Sequence, residues 1–187
     1  MFILIILLAI VLLPVLWAVV QYNALVSLRN YITESWSNVD TELKRRYDLI
    51  PNLVATVKGY AAHEREVLER VTELRNRCAA NSGPVADQAR DENQLVEALK
   101  QLFVVVENYP QLKADQHFLK LQTELVNTEN RIQAARRFYN GNVRDYRNKC
   151  ETFPSTLVAR MFNFQPAEFF SVPPSVQEVP DVDFATP

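Results

Sequence analysis

Apolar side chains follow two different rules along this chain. From Phe2 to Val20 they are continuous, FILIILLAIVLLPVLWAVV, and no charged side chain occurs before Arg29. Beyond that run they recur at steps of three and four, with polar and charged residues between them. The continuous run predicts a membrane-spanning helix, because about 20 apolar residues at 1.5 Å each match the roughly 30 Å hydrocarbon core of a bilayer. A helix satisfies its own backbone groups, and Pro14 would cost the span one hydrogen bond and introduce a kink, which membranes tolerate. Trp17 and Tyr22 stand where an interfacial aromatic belt is expected. A cleaved signal is the competing reading. It needs a basic leader and a cleavage site of small residues, but no Lys or Arg precedes the run, and Leu16 and Tyr22 lie two positions before Ala18 and Ala24. We therefore read residues 1–22 as a retained anchor that contacts the lipid bilayer through residues 2–20.

The spaced region predicts an all-α fold. Leu25, Leu28, Ile32, Trp36, Val39, Leu43, Tyr47 and Ile50 form one stripe, with no breaker separating it from the anchor. Pro51 is expected to stop this helix or to open the next. A second stripe takes in Leu53 or Val54, Val57, Ala61, Leu68, Val71, Leu74 and Cys78, and ends at the turn signal Asn81-Ser-Gly-Pro84. A third runs from about Asp87 to Asn108 through Leu95, Leu99, Leu102 and Val106, with Tyr109 next and Pro110 as punctuation. The fourth and longest takes Phe118, Leu121, Leu125, Ile132, Ala135, Tyr139, Val143, Tyr146, Cys150 and Phe153, and Pro154 closes it. About four long helices with short connections predict an antiparallel bundle over residues 23–164, continuous with the transmembrane helix. Period-two alternation is missing, so strands are not expected.

Composition sharpens this picture. Only three glycines occur in 187 residues, which favours long helices and excludes Gly-rich phosphate loops. A net charge of -2 gives no basic excess for nucleic acid. Residues 165–187 carry Glu168, Glu178, Asp181 and Asp183 among five prolines and no Lys or Arg. Such a segment buries too little to offset its chain entropy and predicts an extended acidic tail, whose start Phe162, Phe164, Phe169 and Phe170 would dock.

Candidate chemistry is sparse. His63 and His117 are the only histidines. His63-Glu64 opens like a zinc-protease signature, but position 67, where the second histidine belongs, is Val. Cys78 and Cys150 read as buried thiols near helix ends; in an up-down bundle they would share a layer, and a disulfide would require an oxidising compartment. No nucleophile elbow or Ser-x-x-Lys pair is present. The expectation is a non-enzymatic protein without cofactor or metal. The most unusual segment is LKRRYDLIPNLVATVKGYAAHE, residues 43–64. Its polar residues Lys44, Arg45, Arg46, Asp48, Asn52, Lys58, Tyr60, His63 and Glu64, with Pro51, are read as an inter-helix corner. Asp48 would cap the second helix, and Arg45 or Arg46 would pair with Asp48 or with the fourth helix. The same corner is the candidate partner-docking site. As an anionic-lipid site the basic trio is remote, since a straight helix holds it about 37 Å past Val20.

Five blocks in order, YNALVSLRN, WSNVDTELKRRYDLIPNLVATVKGYAAHE, TENRIQAARRFYNGNVRDYRNKCETFP, FNFQPAEFF and PDVDF, cover most of the chain and leave the third helix as the main gap. On these blocks the chain resembles the LemA family of bacterial membrane proteins. The resemblance implies a cell-membrane protein with a short exterior N-terminus and a cytoplasmic long-helix bundle, and brings no catalytic motif with it. Arg29, on the C-terminal side of the span, leans the same way under the positive-inside rule. The favoured expectation is a membrane-tethered interaction or scaffold protein that meets other membrane-associated proteins or further copies of itself. The alternatives are a hydrolase or metal-dependent enzyme using His63 and Glu64, and an anionic-lipid-binding domain.

Overall fold

The computed structural model describes residues 1–171, apart from the side chains at positions 4, 5 and 7. Within them there are six helices and no strands: α1 (Phe2–Tyr60), α2 (Arg65–Ala80), α3 (Val85–Val106), α4 (Pro110–Lys113), α5 (Gln116–Glu151) and α6 (Ser155–Met161). The fold is all-α, and four of these helices are long. Residues 172–187 of the expected tail, with Glu178, Asp181 and Asp183, lie outside the described residues.

The expected break at Pro51 is not there. α1 passes through both Pro14 and Pro51 as a single 59-residue helix. A proline inside a helix removes one hydrogen bond and costs about 3 kcal/mol. Around Pro51 the apolar ladder outweighs that cost, because Tyr47, Ile50, Leu53, Val57 and Ala61 are all buried in one unbroken register while Pro51 stays exposed. Asp48 is accordingly an exposed mid-helix residue and caps nothing. The break falls instead at residues 61–64, where Glu64 and Arg65 occupy the positions at which the stripe needed its next apolar rung. The amide of Ala61 still donates to the Val57 carbonyl at 2.8 Å, and α2 starts over with Leu68 donating to Glu64.

The described residues divide into two compact units. The first comprises Met1–Leu49 and Thr123–Phe169. Here α1 and the later part of α5 run antiparallel, since Arg46 meets Glu129, Trp36 meets Tyr139 and the Tyr31 carbonyl meets Asn142. Val39, Leu43, Leu125, Ile132 and Val143 are buried in this unit. Below them Leu25, Tyr146, Val158 and Ala159 form a cluster against which Trp17, Ala18, Leu28, Ile32, Cys150 and Phe164 pack.

The second unit comprises Ile50–Gln122 together with Phe170 and Ser171. α2 and α3 form a helical hairpin. Asn81 turns it by accepting from the Gly83 amide at 2.9 Å, and its own amide group donates to Asp91 of α3 at 2.7 Å. Leu68, Val71, Leu74 and Cys78 of α2 and Leu95, Leu99, Leu102 and Val106 of α3 are buried, as their spacing predicts. Asp115 caps α5 by accepting from the Phe118 amide at 2.9 Å.

Pro154 does not close the fourth helix as expected. α5 ends at Glu151, and the short α6 follows. Phe153, assigned by spacing to the buried stripe, is exposed, because α5 stops before the stripe reaches it. After α6, Asn163 takes a positive φ of 54°. With the Phe164 amide donating to the Ala159 carbonyl at 2.9 Å, and that of Asn163 to Arg160 at 3.2 Å, this is a Schellman cap. It folds the chain back so that Phe164 returns to the cluster around Leu25.

Candidate interaction surfaces

The basic trio separates into three different fates. Lys44 reaches Asp40, four residues back, at 2.7 Å, and Arg45 reaches Glu42 at 3.1 Å, both on the exposed side of α1. Exposed pairs of this kind contribute little. Arg46 is only 2% exposed and its guanidinium donates to Glu129 of α5 at 2.8 Å. Glu129 also accepts from Gln133, and Glu42 also pairs with Arg131 of α5 at 3.0 Å. Positive charge at Arg46 is therefore spent on joining α1 to α5, and the expected pairing with the fourth long helix is found there.

The remaining corner residues lie further along, in the second unit. Asn52 and Lys58 are exposed on α1. Lys58 lines an open groove of about 710 Å³ with Val54, Arg65, Leu68, Glu69 and Glu73 among its walls. The groove is open to solvent and its rim carries both signs of charge, unlike a closed, mainly apolar substrate pocket.

Tyr60 and Glu64 mark the end of α1 and the approach to α2, and both are held by phenol–carboxylate contacts. The Tyr60 hydroxyl donates to Asp115 at 3.0 Å, and the Tyr109 hydroxyl donates to Glu64 at 3.0 Å. The neighbouring carboxylate raises each phenol above its ordinary value, through the hydrogen bond first. Asp115 is held below the usual carboxylate range, first by the Phe118 amide and then by Tyr60. His63 is exposed, and Glu64 is committed to Tyr109. Among the described residues, no group of three or more His, Cys, Asp or Glu side chains comes together to hold a metal ion. Neither Cys78 nor Cys150 forms a disulfide among the described residues; burial pushes the Cys150 thiol up while a hydrogen bond with Tyr146 opposes it.

Spacing did not reveal a third region, at the lower end of the first unit. Tyr22 stacks edge-on to Phe162 at 4.8 Å and to Phe164 at 5.6 Å, and the Arg29 guanidinium lies over the Phe164 ring at 5.5 Å. Two phenols of α5 then hold the chain beyond α6. Tyr146 donates to the Gln165 carbonyl and Tyr139 to the Glu168 carbonyl, each at 2.8 Å, and Arg147 covers the Phe169 ring. Burial drives both phenols up to about 12. Of the four aromatic residues expected to dock the start of the tail, Phe162, Phe164 and Phe169 do so, and residues 165–169 are held against α5.

A sequence model of the LemA family matches residues 35–184, which is most of the chain. The chain belongs to the LemA family. Its relatives include Magnetosome protein MamQ 2 of Paramagnetospirillum magneticum, 24% identical over 180 residues covering 83% of this chain. Magnetosome protein MamQ of Magnetospirillum gryphiswaldense is 23% identical with the same coverage. Protein LemA of Metamycoplasma hominis is 27% identical over 161 residues, 86% of this chain and 73% of its own length. This chain spans 66% of the length of each MamQ relative, a little under two thirds. In this LemA-family protein the described region is all helical and begins with one helix segment long and apolar enough to cross a membrane.

Proposed function

We propose that this LemA-family protein is a single-pass protein of the bacterial cell membrane, with a short exterior N-terminus, and that it works without catalysis. It holds its helical units on the cytoplasmic side, for docking by other membrane-associated proteins or by further copies of itself. One observation carries the reading: α1 is one helix with two surfaces. Over residues 8–20 its large apolar side chains are exposed almost without exception, whereas from Leu25 onward its Leu, Ile, Val and Trp side chains are all buried or half-buried. An exposed apolar segment this long has no stable place in water. The helix that would cross the membrane continues directly into the first helical unit, and tethering raises the local concentration of that unit for partners in the same membrane. Relatives named for a magnetosome in two genera and simply as LemA in a third support a shared scaffold put to different uses.

The competing readings have weaker support. A hydrolase built on His63 and Glu64 would need a carboxylate that is already engaged by Tyr109. An anionic-lipid site at Lys44, Arg45 and Arg46 would need three cations that already face Asp40, Glu42 and Glu129. The test is crosslinking and affinity purification of the full chain from native membranes, compared with a chain ending at Ser171. That cut spares the carbonyls held by Tyr139 and Tyr146. Capture of defined membrane proteins or a defined oligomer is expected. Recovery of monomer alone from both chains, or release of the intact protein by alkaline carbonate, would overturn the proposal.

A further inference from the structure

α6 has two apolar faces, and only one of them is used. Val158 and Ala159 are buried in the cluster with Leu25 and Tyr146. On the other side Leu157 and Met161, four apart and so one above the other on the helix, are 56% and 77% exposed, and Phe153, in the turn just before α6, is 76% exposed. Together they give the elbow an exposed apolar strip. A short helix that needed only to cover the core would carry polar side chains here.

The position of this strip is fixed by α1. Trp17 and Ala18, in the last turn of the apolar run, pack on the same cluster as Val158 and Ala159. Trp17 and Gln21 also line one groove, of about 430 Å³, with Phe153, Pro154 and Lys149. The elbow between α5 and α6 therefore sits level with the last turn of the span and the residues just beyond it. Charge at this level is mixed but leans toward cations. Lys149 and Arg160 are near, while Asp145 and Glu151 face Arg144 and Arg147, each at 3.5 Å. Tyr22, edge-on to Phe162, adds an amphipathic ring of the kind found in headgroup layers.

We infer that this elbow is a second membrane contact, with Phe153, Leu157 and Met161 seated in the interfacial layer of the bilayer that α1 crosses. The inference rests on the membrane reading of α1. The occupant of the strip is phospholipid, because the strip is continuous with an apolar surface that already requires lipid. The lower end of the first unit is then seated on the membrane at two points. Such seating fixes the rotation of the helices about α1 and decides which of their faces a neighbour in the membrane meets.

Depth-dependent fluorescence quenching tests it on the full chain in phosphatidylcholine–phosphatidylglycerol vesicles whose acyl chains carry bromine. Three single-tryptophan chains are compared: Trp36→Phe, which leaves Trp17; and Trp17→Phe/Trp36→Phe with either Phe153→Trp or Phe138→Trp. Phe138 is exposed on α5 and lies about 22 Å along the helix from Phe153. The Phe153→Trp chain is expected to emit to the blue and to lose emission to bromine as Trp17 does, and the Phe138→Trp chain to do neither. Leu157→Asp/Met161→Asp, which alters only exposed side chains, should abolish the quenching at position 153 while circular dichroism is unchanged. If Trp17 is quenched but the Phe153→Trp chain is not, the elbow contact is wrong and the anchor stands. Blue emission without quenching likewise overturns it, in favour of a protein cover. If Trp17 itself escapes quenching, the membrane reading fails first.

Discussion

Tyr139 and Tyr146 lie two turns apart on α5, and each donates one hydrogen bond of 2.8 Å to a backbone carbonyl of the segment after α6. Replacing both with Phe removes those two bonds, together with the contact of the Tyr146 hydroxyl with the Cys150 thiol. The rings stay in place, including the edge contact of Tyr139 with Trp36 at 5.3 Å. A neutral hydrogen bond contributes about 0.5–1.5 kcal/mol net. The accepting residues, Gln165 and Glu168, are exposed, so their carbonyls can recruit water, and about 1 kcal/mol per bond is the appropriate figure. The two sites are about 10 Å apart along the helix, far enough for their effects to add to about 2 kcal/mol. For a chain of this size that corresponds to a fall in Tm of about 4–8 °C. The assay is thermal unfolding of the full chain in detergent by circular dichroism, paired with limited proteolysis. Each single variant should lose about half the total, and cleavage between residues 163 and 171 should accelerate. A double variant with unchanged Tm and an unchanged cleavage pattern would refute the idea that these phenols hold the segment down.

Three further outcomes follow from the same geometry. Both phenols ionise near 12 in the folded protein and near 10 when unfolded, so their stabilisation is complete below pH 10 and is lost between pH 10 and 12; melting curves across that window should show the decline, and Tyr139→Phe/Tyr146→Phe should flatten it. Pro51→Ala restores an amide in the middle of α1 and should raise stability by about 1–3 kcal/mol in denaturant titrations; a loss of stability would mean that packing requires the proline's bend. Arg46→Ala breaks a buried pair and should cost about 2–4 kcal/mol, whereas Lys44→Ala should stay within about 0.5 kcal/mol; equal effects in the same titrations would contradict the different burial of these two neighbours.

Much of the fold is legible in the residues themselves. Period decides it: every residue of the stripe from Leu25 to Ile50 is buried or half-buried, and the rungs of α3 fall where spacing puts them. The apolar run from Phe2 to Val20 needs no tertiary contact to be recognised, because bilayer thickness and helical rise are fixed lengths. Local rules failed where a long-range gain exceeded a local cost. Pro51 is a helix breaker by its own chemistry, yet a ladder of buried rungs on either side carries α1 through it. The real break, at residues 61–64, was marked by a missing apolar rung, a weaker signal than a proline.

The fate of individual side chains belongs to the tertiary structure alone. Lys44, Arg45 and Arg46 are consecutive and chemically alike, and one helical turn distributes them between solvent and core. Arg46 turns toward Glu129, which lies 83 residues later, and no spacing rule connects two positions so far apart. Phe153 kept its place in the stripe on paper and lost it because α5 ends two residues too soon. Periodicity fixes which face of a helix is apolar, but where the helix stops and what lies opposite it are set by packing between distant segments.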